Sequence, residues 1–319
     1  MKSEAYRLIS KEQFKDYPLI EEVFEFLESN YLSYSKTYRY ILDSYDEEYL
    51  NYAEEIMRII ESSRSPDSHF DGLINAFIRY SHEYLVLQTK LNRNGKYLYS
   101  SFEEVNRHVY QNKRMNEYYL DGLMLSQFLW VNHYEIGKFF IQHKNLTNDT
   151  SVIMDIPAGT GIFSYHILKY FKFRKTDIYD ISSYSIKYTK NILLNSELNI
   201  TDVTFKIANV FELESTGKYD FICCGELLEH LEQPALLLSK LRDLLKDDGK
   251  LFLTTAIYAA AIDHIYLFEN VEQVRELLNE HFLISSELIL PTTLETYDPK
   301  MNKVPINYAC LLGKKHEII

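Results

Sequence analysis

Residues 152–164 read "VIMDIPAGTGIFS". An apolar run ends in Asp155, a turn Pro157-Ala158-Gly159-Thr160-Gly161 follows, and apolar periodicity then resumes. Strand, glycine-bearing loop and helix, in that order, form the unit that brings backbone N–H groups up to a nucleotide-like ligand. Two familiar versions of the loop are excluded by spelling. The pattern GxxxxGK[ST] is absent, and GxGxxG fails because Ser164 stands where the third glycine is required. What remains is acid-x-x-x-Gly-x-Gly at the end of a strand. Glycines at 159 and 161 let the backbone approach a ligand closely. Proline fixes φ at about −65° and has no N–H, so position 157 needs neither a left-handed backbone nor a donor. Asp155, at the strand's carboxyl end, is placed to accept from a ligand ammonium.

Working outward, residues after 151 alternate between short apolar runs and amphipathic stretches. Strands are predicted at 152–156, 176–180, 203–208, 219–224 and 249–255, with helices at 161–172, 184–196, 233–246 and 270–280. That alternation implies right-handed crossovers and a mostly parallel sheet. The runs 282–290 and 307–315 have no helix between them and are expected as an antiparallel hairpin on the sheet edge. Residues 1–145 show helical periodicity instead. Candidate helices are 18–32, 37–60, 65–91 (opened by Ser65-Pro66-Asp67) and 118–143, with a turn at Asn94-Gly95 and a short helix after it. The polar stretch 144–151 marks the boundary. The expectation is an all-α domain at 1–145 followed by a Rossmann-like α/β domain at 150–319.

The second strand ends "TDIYD", placing Asp180 where an acid takes both hydroxyls of a ribose. Asn209 and Val210 follow the third strand, suited to an adenine edge and face. The fourth strand leads into "GELLEHLEQP" and then "LLKDDGKLFLTT". This ordered set over residues 150–315 resembles the class I S-adenosylmethionine-dependent methyltransferases. The resemblance implies a cofactor site of Asp155, Pro157, Ala158, Gly159, Gly161, Asp180, Ile181, Asn209, Val210, Gly225 and Glu226. It also implies S-adenosylmethionine as cofactor and methyl transfer to an O or N atom of a small molecule in specialised metabolism, with an RNA-modifying methyltransferase or a non-catalytic S-adenosylmethionine-binding protein as the alternatives.

Methyl transfer needs an aligned nucleophile and, for many acceptors, a proton acceptor. Glu226, Glu229 and His230 are expected on one face of a helical turn. His264, in "AAIDHIYLF", follows the fifth strand and is expected to meet His230 over the transferable methyl. Histidine is suited to that work near neutral pH. His230, His264 and Glu229 are therefore the catalytic candidates. Glu-x-x-Glu-His is also similar to the motif of the ubiquinone-pathway O-methyltransferases and the small-RNA terminal 2′-O-methyltransferases. There it implies Mg2+, with Glu226, Glu229, His230 and His264 as counterparts here; magnesium's preference for oxygen ligands sits awkwardly with two histidines. Along the stretch 118–143, Tyr119, Trp130 and His133 are acceptor-pocket candidates, with Tyr118, Gln127 and Asn132 beside them.

Composition bounds the rest. The 319 residues carry a net charge of −12. Residues 1–150 hold 17 basic and 23 acidic residues and the remainder the same, so no basic footprint marks a nucleic-acid partner. No apolar run is long enough for a membrane span, the start lacks a signal-peptide pattern, and three cysteines without a CxxC suggest a reducing, cytoplasmic setting. Of the 27 tyrosines, 17 precede residue 150. They suit a lid, an acceptor-binding cap or a homodimer interface.

Overall fold

Every residue of the strand that opens "VIMDIPAGTGIFS" is buried, as a central strand covered on both faces requires. The computed structural model describes residues 11–31, 40–41, 44–64, 70–292 and 303–315. In chain order the α/β part holds β1 (Val152–Asp155), α7 (Ile162–Tyr170), β2 (Lys175–Asp180), α8 (Ser183–Leu194), β3 (Val203–Ile207) and β4 (Tyr219–Gly225). It continues with α9 (Pro234–Leu244), β5 (Leu245–Ile257), α10 (Val271–Asn279), β6 (Phe282–Pro291) and β7 (Ile306–Lys314). The strands form one seven-stranded sheet in the order β3-β2-β1-β4-β5-β7-β6. β1 to β5 pair parallel, whereas β7 runs antiparallel to both β5 and β6. The expected hairpin is present, with its second strand inserted between β5 and β6, so that β6 is the edge. From β1 the chain winds first toward β3 and then returns to β4. The strand order therefore reverses between β1 and β4, which is where open α/β sheets leave a crevice at their carboxyl ends.

The helical part consists of α1 (Pro18–Asn30), α2 (Glu47–Ser63), α3 (Phe70–Asn94), the four-residue α4 (Phe102–Val105), α5 (Lys113–Leu129) and α6 (Val131–Gln142). Proline opens α1 where its missing N–H costs nothing. The buried carboxylate of Glu54, on α2, accepts from the N–H groups of Leu19 and Ile20 at 3.1 Å each, satisfying two orphan donors of α1 from a neighbouring helix. Residues 37–39 and 42–43 of the second candidate helix, and the start signal Ser65-Pro66-Asp67, lie outside the described residues. The short helix after Asn94-Gly95 is α4, which runs into a π-helical turn at Asn106–Tyr110.

One expectation is corrected. Residues 118–143 do not form a single helix: α5 stops at Leu129, Trp130 is extended (φ −106°, ψ 114°), and α6 starts at Val131. No glycine or proline punctuates the break. The Trp130 ring is instead seated among Phe77, Tyr80, Tyr84 and His133, and that packing outweighs one turn of backbone hydrogen bonds. The helices and the sheet share a core. One apolar cluster runs from Val23, Leu27 and Ile56 through Phe128 to Ile162 and Tyr165 of α7 and Ile192 of α8. Among the described residues no helix is long and apolar enough to cross a membrane.

Candidate active site at the sheet switch point

The loop between β1 and α7 has the backbone its glycines call for. Gly159 and Gly161 both have positive φ, +53° and +83°, in the region that L side chains avoid. The two serve different ends. A Cβ built on Gly159 meets nothing within 4 Å, whereas one on Gly161 would lie 2.8 Å from Thr189 Cγ2 and 3.1 Å from Thr189 Cα. Gly159 leaves the cavity side open, and Gly161 lets α7 pack against α8. The Gly159 N–H donates to Asp180 at 3.0 Å, which ties the loop to the end of β2.

Beside this loop lies a cavity of about 250 Å3 between the sheet's carboxyl ends and the helical part. Pro157, Ala158, Gly159, Asp180, Ile181, Gly225, Glu226, His230 and His264 line it from below. Tyr119, Gln127, Trp130 and His133 line it from α5, α6 and the break between them. Asp180 is buried, accepts from the N–H groups of Gly159 and Ser182, and is held above the usual carboxylate range chiefly by burial. Asp155 is also buried. It accepts from the Ser164 hydroxyl with one oxygen, while Oδ1 has no partner. Burial raises its carboxyl to about 7, against the pull of the Ser164 bond. Glu226 has a left-handed backbone (φ +49°) and a buried Oε1 with no partner. These two orphaned oxygens sit at the ends of β1 and β4, the pair that defines the switch point. Buried carboxylate oxygens are normally satisfied, so the site is chemically incomplete toward a donor-bearing ligand.

Three imidazoles face the same space. His264 Nδ1 lies 2.8 Å from the Ala259 carbonyl, which only accepts, so Nδ1 carries the proton and Nε2 is bare. His230 Nδ1 is likewise 3.0 Å from the Asp263 carbonyl. The two rings meet edge to face with centroids 5.0 Å apart, as expected from sequence. In His133, Nδ1 lies 2.9 Å from the Ser126 hydroxyl and 3.5 Å from Gln127 Nε2, and both of those groups also donate to the Leu123 carbonyl. Burial pushes His133 and His264 down to about 4, so both are neutral at physiological pH.

Other candidates sit elsewhere. Glu229 does not line the cavity, although its carboxylate stays close to Glu226 and His230. The turn Leu228–His230 is a 3-10 helix that aims Glu229 into the interior, fully buried. There it accepts from the Thr255 hydroxyl at 2.6 Å and the Ala256 N–H at 3.2 Å. Burial first, and the Glu226 carboxylate second, raise it well above the ordinary glutamate range. One ligand atom each from Glu229, His230 and His264 lies within 4.8 Å of the others. Asn209 caps the short turn Val210–Glu212 by accepting from the Phe211 N–H, Val210 is core, and neither lines the cavity. Asn132 ties α6 to the hairpin through Leu290 and Asn307, and Tyr118 donates to Glu83. The sequence reading missed Tyr80, Tyr84, Tyr110 and Asp263, which complete the wall. Only Asp263 carried a signal, its place beside His264 after β5.

With this geometry in place, comparison with known proteins is direct. A methyltransferase domain family matches residues 154–251. The ubiquinone biosynthesis O-methyltransferase of Glaesserella parasuis is 32% identical over 94 residues, 28% of this chain and 39% of that protein. The (S)-coclaurine N-methyltransferase of Papaver somniferum is 30% identical over 106 residues, 33% of this chain and 29% of that protein. The chain thus spans well under half the length of these curated relatives. The phosphoethanolamine N-methyltransferase 2 of Haemonchus contortus, solved with S-adenosyl-L-methionine, shares the fold. Its TM-score is 0.52 at 12% identity, over 69% of this chain and 61% of that one.

Proposed function

We propose that this chain is a class I S-adenosylmethionine-dependent methyltransferase that transfers a methyl group to an oxygen or nitrogen of a small molecule. The observation that carries the reading is the pair of orphaned oxygens, Asp155 Oδ1 and Glu226 Oε1, flanking an open glycine loop at the switch point. S-adenosylmethionine supplies an electrophilic methyl on a positively charged sulfur. Its ammonium and ribose hydroxyls are the donors that such acids lack. In this reading Asp180 accepts from the ribose, and Gly159 admits the methionine part. The His230, His264 and His133 rings orient the acceptor or accept its proton. α5, α6 and the turn Asn106–Tyr110 close the cavity against water. Specialised metabolism is the setting this reading favours, because the acceptor pocket is built from this chain's own helical part.

A divalent ion held by Glu229, His230 and His264, with Glu226 beside them, is a second reading, favoured by their convergence. The set fits magnesium poorly. It is rich in nitrogen, and Glu229 already accepts on both oxygens.

Calorimetry with S-adenosylmethionine tests the main reading. Wild type is expected to bind. Asp180→Ala removes two charge-assisted hydrogen bonds and is expected to weaken binding by about tenfold or more. Absence of binding by the wild-type protein would sink the proposal.

A further inference from the structure

The acceptor side of the cavity is a continuous aromatic wall that ends in a carboxylate. Tyr84 packs on Trp130 with ring centroids 5.4 Å apart, Trp130 on Tyr80 at 5.3 Å, and Tyr80 on Tyr119 at 5.4 Å. The Tyr119 hydroxyl then donates to Asp263, 3.2 Å from Oδ1. Asp263 is only 4% exposed. His230 Nδ1 lies 3.6 Å from Asp263 Oδ2 and closer, at 3.0 Å, to the main-chain carbonyl of the same aspartate.

The charge of the lining is one-sided. Asp180, Glu226 and Asp263 face the space, and among the described residues no lysine or arginine does. Among the described residues no lysine or arginine forms an ion pair with Asp263 or Glu226 either. An acceptor carrying a phosphate or carboxylate would bring a like charge beside these acids, with no described lysine or arginine of the lining to pair it. A cation is favoured twice: by Coulomb attraction to the acids, and by the negative faces of tyrosine and tryptophan rings. Resting on the methyltransferase reading above, we propose that the acceptor is an aromatic compound bearing a protonated amine. Its ring lies along the Trp130–Tyr80–Tyr119 wall and its ammonium lies at the Asp263 end.

Trp130 is the only tryptophan in the chain and lines the cavity, so its fluorescence reports occupancy. The protein, loaded with S-adenosylhomocysteine, is titrated with three compounds of one shape: phenethylamine, phenethyl alcohol and hydrocinnamate. The amine is expected to shift Trp130 emission saturably, binding about tenfold tighter than the alcohol, with the acid weakest. Asp263→Asn keeps an acceptor for Tyr119 but removes the charge, and is expected to bring the amine down to the alcohol. Equal affinity of the alcohol or the acid, no response from any of the three, or a preference that survives Asp263→Asn would overturn the inference. Calorimetry with S-adenosylhomocysteine is run on the same samples. Failure there counts against the methyltransferase reading, whereas binding there without an amine preference counts against this inference alone.

Discussion

Substituting each loop glycine by alanine separates two roles that the sequence presents as one. Both residues are left-handed, and alanine pays about 1–2 kcal/mol to adopt that backbone. For Gly159→Ala that is the whole structural cost, since its Cβ meets nothing. The methyl group points into open space beside the cavity, where the donor's methionine part is proposed to lie. The expected outcome is a small loss of stability and a loss of S-adenosylmethionine affinity of about tenfold or more, as a methyl fills ligand space. For Gly161→Ala the Cβ meets Thr189 at both a methyl and its Cα. The Cα belongs to α8 and cannot rotate away, so α7 and α8 must separate. Overpacking of that kind adds about 1–3 kcal/mol, giving a total of about 2–5 kcal/mol. Urea unfolding followed by circular dichroism measures the stability, and calorimetry with S-adenosylmethionine measures the binding. Two results would refute the reasoning: Gly159→Ala binding like wild type, or Gly161→Ala no less stable than Gly159→Ala.

Two further outcomes are expected. His166 is fully buried beside Tyr52 and Phe140, neither ring nitrogen has a partner, and burial, then Lys169, lowers it to about 3. Above the ordinary histidine value of 6.5 neither folded nor unfolded chain binds a proton there; below it only the unfolded chain does. Stability is thus lost as pH falls, by about 1.4 kcal/mol per unit down to the folded value. His166→Phe should gain on wild type by about 2 kcal/mol between pH 7.5 and 5 in urea midpoints, and parallel pH profiles would contradict the burial argument. For the metal question, extensive dialysis against EDTA is expected to leave methyl transfer within about twofold, given the poor fit to magnesium; loss restored by a divalent ion would install the second reading.

β1, β4 and the second half of β5 were legible because burial on both faces forces continuous apolar runs, and β2 and β3 because β-branched and aromatic residues sit between turns. The helix break at Trp130 was not, because α5 and α6 each keep helical periodicity and the interruption is made by ring packing from α3. α-Helical spacing brings Glu226, Glu229 and His230 together, and their side-chain ends do come close, but on a backbone that is not α-helical. A left-handed Glu226 followed by a 3-10 turn sends Glu229 inward instead, and no local residue announces it. The pairing of His230 with His264 was legible for a stronger reason. Both follow the carboxyl ends of adjacent parallel strands, and parallel pairing alone brings those ends together. The tyrosines of the helical part could be counted from sequence but not oriented. Which of them form the wall depends on how α3 and α5 pack.

The aspartates of "TDIYD" show what converts a legible acid into a site. Asp177 and Asp180 lie three residues apart on β2, so their side chains leave opposite faces of the sheet. Both are buried. Asp177 accepts from Lys175 at 3.0 Å, Tyr219 at 3.0 Å, and also Lys218 and Thr204. Although burial pushes its carboxyl up, those bonds hold it well below the usual aspartate range. Such an acid is complete, and it secures β2 to β3 and β4. Asp180 has only backbone N–H donors at its carboxylate and no lysine or arginine partner among the described residues, and its carboxyl is raised. It remains able to accept, at the carboxyl end of a strand, next to an open glycine. The distinction lies in partners contributed by other strands, which is why strand-end position could select Asp180 from the sequence while only the fold shows that Asp177 is already satisfied.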